Sequence, residues 1–148
     1  MRLDPFNEVQ PDAFLRLEPE VGGRSHITSD DYIEGAPELI VEVAASSAAY
    51  DLYEKKRIYQ RNGVQEYLVW QIYEQRLDWF SLDADEYEPL LPDAENIVRS
   101  EIFPGLHLHV SALLAGDLAR VLSTLQNGLQ LPEHTVFAAR VRTSPSSR

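Results

Sequence analysis

Hydrophobic and polar positions change period several times along the chain, and each change marks an element. After Pro11-Asp12, Ala13-Phe14-Leu15-Arg16-Leu17 alternates loosely and stops at Pro19, which predicts a strand over 12–18. From Gly22-Gly23 to Gly35 the chain is polar and punctuated by glycine, predicting a loop or hairpin with a short strand near His26-Ile27-Thr28. Glu38 to Ala45 is the clearest strand: Ile40, Glu42 and Ala44 share one face, Leu39, Val41 and Val43 the other. Apolar character on both faces predicts a central strand, covered on each side.

A helix follows over Ala48 to Arg61, with Ser46 or Ser47 as its cap and Asn62-Gly63 as its stop. Strands are predicted over Glu66–Tyr73 and its hairpin partner Arg76–Leu82, then over Glu86–Leu91, Ile97–Glu101 and Leu106–Val110. Ser111 opens a helical end in which Leu114, Leu118, Val121 and Leu125 form a stripe expected to pack on the sheet. A second short helix is predicted from Glu133 to about Val141, and 143–148 reads as a disordered Ser/Pro/Arg tail. Without repeats or an interdomain linker, residues 1–142 are expected to form one α/β (α+β) domain.

Composition narrows the classes. The 148 residues suffice to bury a core. There is no cysteine, so neither a disulfide frame nor a thiolate metal site is available. No signal peptide or membrane-length apolar run is visible, which makes a cytoplasmic protein the expectation. The formal net charge of −11 opposes long-range attraction to nucleic acid. Against that background Lys55, Lys56, Arg57 and Arg61 fall within seven positions, offering either a local basic surface or a solvated helix face.

Candidate chemistry starts from Glu42. A carboxylate inside a buried strand is costly unless a cation, a donor or a metal answers it. Asp12 opens another strand, and the only two lysines, Lys55 and Lys56, sit on the following helix. Two acids and a lysine on two strands and a helix form the skeleton of a metal-dependent phosphodiesterase. Hard oxygen ligands suit Mg²⁺ (or Mn²⁺), which keeps several of its waters. Each residue has a plainer reading: Asp12 as a turn residue, Lys55 as the helix ion-pair partner of Asp51, Glu42 as a solvent-facing strand residue. Glu38 is either a further ligand or a strand-start residue after Pro37. His107 and His109 alternate on one strand face, but with no third ligand they read as two polar strand positions.

Several segments carry a family likeness. Gln10-Pro11-Asp12, Gly35-Ala36-Pro37-Glu38-Leu39-Ile40-Val41-Glu42-Val43, Ser46-Ser47, Asp51-Leu52-Tyr53-Glu54-Lys55, Tyr59 and Gly63-Val64-Gln65-Glu66-Tyr67 resemble the Uma-two-type restriction endonuclease family of the PD-(D/E)xK nuclease superfamily. The likeness runs from about Asn7 to Trp70. It implies a restriction-endonuclease-like mixed central sheet flanked by helices, with a divalent metal held by two carboxylates. Carried over by position, the superfamily's Asp falls on Asp12 and its Glu on Glu42. The superfamily lysine position, two residues after the Glu, holds Ala44 here. The resemblance therefore implies a lysine supplied from the next helix, Lys55, with Lys56 the neighbour about 100° around the helix. The family usually carries several dozen residues ahead of the Pro-Asp strand, so the expectation is an N-terminally shortened relative.

The leading reading is a Mg²⁺-dependent endodeoxyribonuclease using Asp12, Glu42 and Lys55, with DNA as partner, no membrane association and a homodimer as an open option. The alternative is a catalytically inactive nuclease-fold remnant acting in binding or dimerisation. Under the first, Asp12 and Glu42 share one ion, the stripe Asp51–Lys55–Tyr59 faces the sheet, and Lys56 is the more exposed lysine, facing DNA.

Overall fold

The computed structural model describes residues 1–45 and 49–142, with the backbone alone described for 49–51. Ser46 and Ser47, expected as helix caps, the Asp51 side chain and the tail 143–148 lie outside the described residues. The described residues gather into two compact units, one within 1–89 and one within 90–142.

In the first unit the strands are β1 (Arg2–Asp4), β2 (Asn7–Glu8), β3 (Ala13–Leu15), β4 (His26–Ile27), β5 (Ile33–Glu34) and β6 (Leu39–Ala44). Helix α1 (Ala49–Arg61) follows, then β7 (Glu66–Gln71), β8 (Arg76–Asp83) and β9 (Glu86–Pro89). The main sheet has the order β3-β6-β7-β8-β9. β6 and β7 run parallel, in register from Leu39↔Glu66 to Ala44↔Gln71, and α1 is the crossover that a parallel pair requires. The other neighbours are antiparallel. A smaller sheet, β2-β1-β5-β4, is built from strands of two or three residues.

The core of this unit joins Leu3, Ala36, Ile40, Tyr59, Val64, Tyr67, Val69 and Tyr87, with Phe14, Leu52, Ile58 and Phe80 packed around it. Register explains the aromatic layer. Tyr67 pairs with Phe80 and stacks on it at 6.2 Å, and Tyr59 of α1 tilts onto Tyr67 at 5.2 Å. The helix stops at Gly63, whose φ of +73° is costly for residues with a Cβ. There the Val64 N–H reaches back to the Tyr59 carbonyl at 3.0 Å, and Arg24 donates to the Gly63 carbonyl. These bonds fix the register of α1 over the sheet.

The second unit pairs β10 (Ile97–Arg99) with β11 (His107–His109) and adds α2 (Val110–Ala115), α3 (Leu118–Leu129) and α4 (Pro132–Arg142). The stripe from Leu114 to Leu125 does not act as one face. Gly116, at φ +76°, ends α2, and the Asp117 carboxylate caps α3 by accepting the Arg120 N–H at 3.1 Å. Leu118 is left 61% exposed, while Thr124 and Gly128 are the buried residues of α3. His109 is a cap as well: its Nδ1 accepts the Ala112 N–H at 3.2 Å.

Mixed sheets and four helices make the chain α+β, consistent with a restriction-endonuclease-like fold. Among the described residues no helix is long and apolar enough to cross a membrane.

Gly128 offers a sharp test of packing against propensity. Alanine in a helix is better than glycine by about 1 kcal/mol, yet a Cβ on Gly128 would stand 2.2 Å from the Gly105 carbonyl oxygen. Gly128→Ala is therefore expected to destabilise the protein by about 1–3 kcal/mol in urea titrations; a more stable variant would show that this approach relaxes freely.

Candidate active site

Among the described residues of the first unit three carboxylates are buried, and their partners separate them. Glu38 is 1% exposed and accepts the Leu17 N–H at 2.7 Å and the Arg24 N–H at 3.3 Å. It ties a loop to the start of β6, the strand-start role rather than a ligand's. Glu66 takes the Trp79 indole N–H at 3.2 Å. Glu42 is 3% exposed and meets side chains from α1: the Tyr59 hydroxyl donates to Oε1 at 2.5 Å, and Lys55 Nζ donates to Oε2 at 3.2 Å. Its solvent-facing reading is thereby excluded.

The local sequence builds this arrangement. β6 places Glu42 on the face with Ile40, beneath α1, and Lys55 and Tyr59 are one helical turn apart. One turn thus delivers a cation and a hydroxyl to the two oxygens of one carboxylate. Burial is the main influence on Glu42 and pushes its carboxyl above the ordinary value. The Tyr59 and Lys55 bonds pull it back, and the charge of Asp12 adds a smaller upward push. Tyr59, wholly buried and facing Glu42, is raised as well.

Asp12 lies at the open end of β3, the edge strand, where Ala13 pairs with Val41. Its carboxylate is exposed and accepts the Val43 N–H at 2.7 Å. The structure thus joins Glu42 and Lys55 directly, and ties Asp12 to the backbone of the residue after Glu42, near enough for its charge to act on Glu42. Among the described residues, no set of three or more His, Cys, Asp or Glu gathers as an ion cage. Asp12 and Glu42 offer carboxylate oxygens only, a donor chemistry that fits Mg²⁺ or Mn²⁺ with part of their water shell retained.

The basic cluster differs from expectation. Lys56 does not project outward: its ammonium lies 3.6 Å from the centre of the Phe80 ring, and burial lowers its pKa while nearby Asp78 offsets part of that. Arg57 and Arg61 are exposed and line a separate cleft of about 320 Å³ with Asn7, Glu54, Ile58 and Gln60. The four cations within seven positions are therefore divided between two faces of α1 by the 100° step of the helix. Asp78, which the sequence did not single out, has a carboxylate that accepts from Arg76 Nε at 2.7 Å and a charge that acts on Lys56. Val69 pairs with Glu42 on one side and Asp78 on the other, so a single cross-sheet row carries both acids.

A family described as Uma2, "Putative restriction endonuclease", matches residues 1–111. The chain belongs to the Uma2 family. No curated protein sequence matches it. The Uma2 match takes in β3, β6 and α1, so Asp12, Glu42, Lys55 and Tyr59 all lie within it.

The position of Glu42 has a pH signature. Its folded carboxyl titrates above the ordinary 4.5, so across that window the native state keeps a proton the unfolded chain has released. The stability linked to this group is present at low pH and lost as pH rises through the folded value. Urea midpoints in EDTA from about pH 4 to about pH 8 should show wild type losing ground to Glu42→Gln as pH rises. A difference that stays flat, or grows in favour of wild type, contradicts the assignment.

Proposed function

We propose that this chain is a divalent-metal-dependent endonuclease that hydrolyses DNA phosphodiester bonds at the Glu42 edge of the main sheet. The observation that carries this reading is the buried Glu42 carboxylate, with the Lys55 ammonium on its Oε2 and Asp12 near enough for its charge to act on it. Fold maintenance alone does not call for that trio, and fold by itself does not assign a function.

Asp12 and Glu42 would hold Mg²⁺ or Mn²⁺, and a bound ion of this kind supplies an activated water and polarises a phosphate oxygen. The chain's own residues do the rest. Lys55, whose side chain is 30% exposed, is the partner of Glu42 able to turn toward a phosphate. There its ammonium would stabilise the charge that develops on the phosphoryl oxygens. Arg57 and Arg61, exposed and one turn apart, are suited to phosphate contacts that position the duplex without reading its sequence. Cutting both strands would call for two copies of the site, so a homodimer belongs to this proposal.

Two observations favour a second reading, a catalytically silent relative that binds or dimerises. Ala44 stands where the superfamily carries its lysine, and the net charge of −11 repels DNA at long range.

The two readings part on metal and cleavage. Mg²⁺ or Mn²⁺ should raise the melting temperature of wild type, by the equivalent of about 2.7 kcal/mol at a hundredfold excess over Kd. The same ions should support nicking of plasmid DNA. Glu42→Gln should remove both responses. Lys55→Ala should keep the thermal response and lose cleavage by about 10²–10³-fold. Lys56→Ala, packed on Phe80, should keep both. Wild type showing neither response makes the silent relative the correct account.

A second expectation concerns the exposed cations. Arg57→Ala combined with Arg61→Ala should weaken DNA binding and flatten its dependence on salt by a slope of about 2, since each arginine neutralises one phosphate. An unchanged salt slope would place the DNA elsewhere.

A further inference from the structure

We propose that Tyr59 is the positioning residue of the Glu42 carboxylate: its hydroxyl anchors one oxygen inward so that the other alone faces the open edge. This role rests on the nuclease reading for its purpose, but the geometry stands without it. Tyr59 is 0% exposed, whereas the Glu42 and Lys55 side chains are 5% and 30% exposed. The oxygen bound to Tyr59, Oε1, therefore points into the core, and the oxygen bound to Lys55, Oε2, points toward the rim. A carboxylate held by one oxygen cannot rotate to offer both to an ion.

Tyr59 is itself fixed. Its ring packs on Tyr67 at 5.2 Å, and its own carbonyl receives the Val64 N–H at 3.0 Å, where Gly63 ends the helix. Partners of this kind, which orient a ligand without touching the ion, are typically worth about 10–100-fold in metal affinity. A buried tyrosine needs a partner for its hydroxyl in any case. The test must therefore separate orientation of Glu42 from satisfaction of Tyr59.

Tyr59→Phe keeps the ring and the Tyr67 packing and removes the donor. Crystal structures without metal should show Glu42 in one orientation in wild type and displaced in the variant. Mn²⁺ titration by electron paramagnetic resonance, performed well below the melting temperature, should show affinity reduced about 10–100-fold in Tyr59→Phe. In a Glu42→Gln background, the same change should have no further effect. Should Tyr59→Phe fold too poorly, Tyr59→Met fills similar depth with a flexible, donor-free side chain. An unmoved Glu42, or a lower melting temperature with unchanged Mn²⁺ affinity, overturns the proposal. A displaced Glu42 in a protein whose wild type takes up no Mn²⁺ supports the positioning role and overturns the metal reading instead.

Discussion

The first unit is organised around a carboxylate that should not be where it is. Glu42 sits on β6, next to the edge strand β3 of the main sheet, 3% exposed, between apolar neighbours on its own strand. Removing one partner from a buried ion pair commonly costs about 3–5 kcal/mol. The partial exposure of Lys55 keeps this pair below that range, but the direction is the same. The crossover helix must therefore arrive with Lys55 and Tyr59 in place. Its C-terminal stop at Gly63, the Arg24 bond to the Gly63 carbonyl and the packing of Tyr59 on Tyr67 all serve that placement. The contacts that hold the fold also fix the orientation of Glu42.

Among the described buried acids, Glu42 differs from Glu38 and Glu66 in the mobility of its partners. Glu38 is satisfied by backbone N–H groups and Glu66 by an indole, fixed donors that suit structural anchors. Glu42 is satisfied by a flexible ammonium on one oxygen and a hydroxyl on the other. An ammonium on a four-carbon stem can leave and be replaced by another cation. On the proposed reading, a divalent ion takes the place of Lys55 at Glu42, where the charge of Asp12 already acts.

Much of this was legible in the sequence because it was local. The acid in an apolar run marked β6 and its burial, Asn62-Gly63 marked the end of α1, and the i, i+4 spacing of Lys55 and Tyr59 put them on one stripe. The misses have physical causes. β1, β2 and β5 are two or three residues long, too short for any period to register. The leucine stripe after Ser111 keeps helical spacing across Gly116, so the break is invisible to periodicity and is set by an αL turn and the Asp117 cap. Lys56 looked outward because its neighbour looked inward. Cross-strand register, which places Phe80 opposite Tyr67 and under Lys56, cannot be read from one strand at a time.

On the proposed reading, Asp12 and Glu42 together form a divalent-ion site with Lys55 as its resident cation. Anomalous diffraction from crystals soaked in Mn²⁺ addresses it most directly. The expected result is one strong peak between the two carboxylates, at about 2.0–2.2 Å from Glu42 Oε2 and from an Asp12 oxygen, with the Lys55 ammonium moved off Oε2. A map with no peak there, and Lys55 still bonded to Glu42 at saturating Mn²⁺, would contradict it.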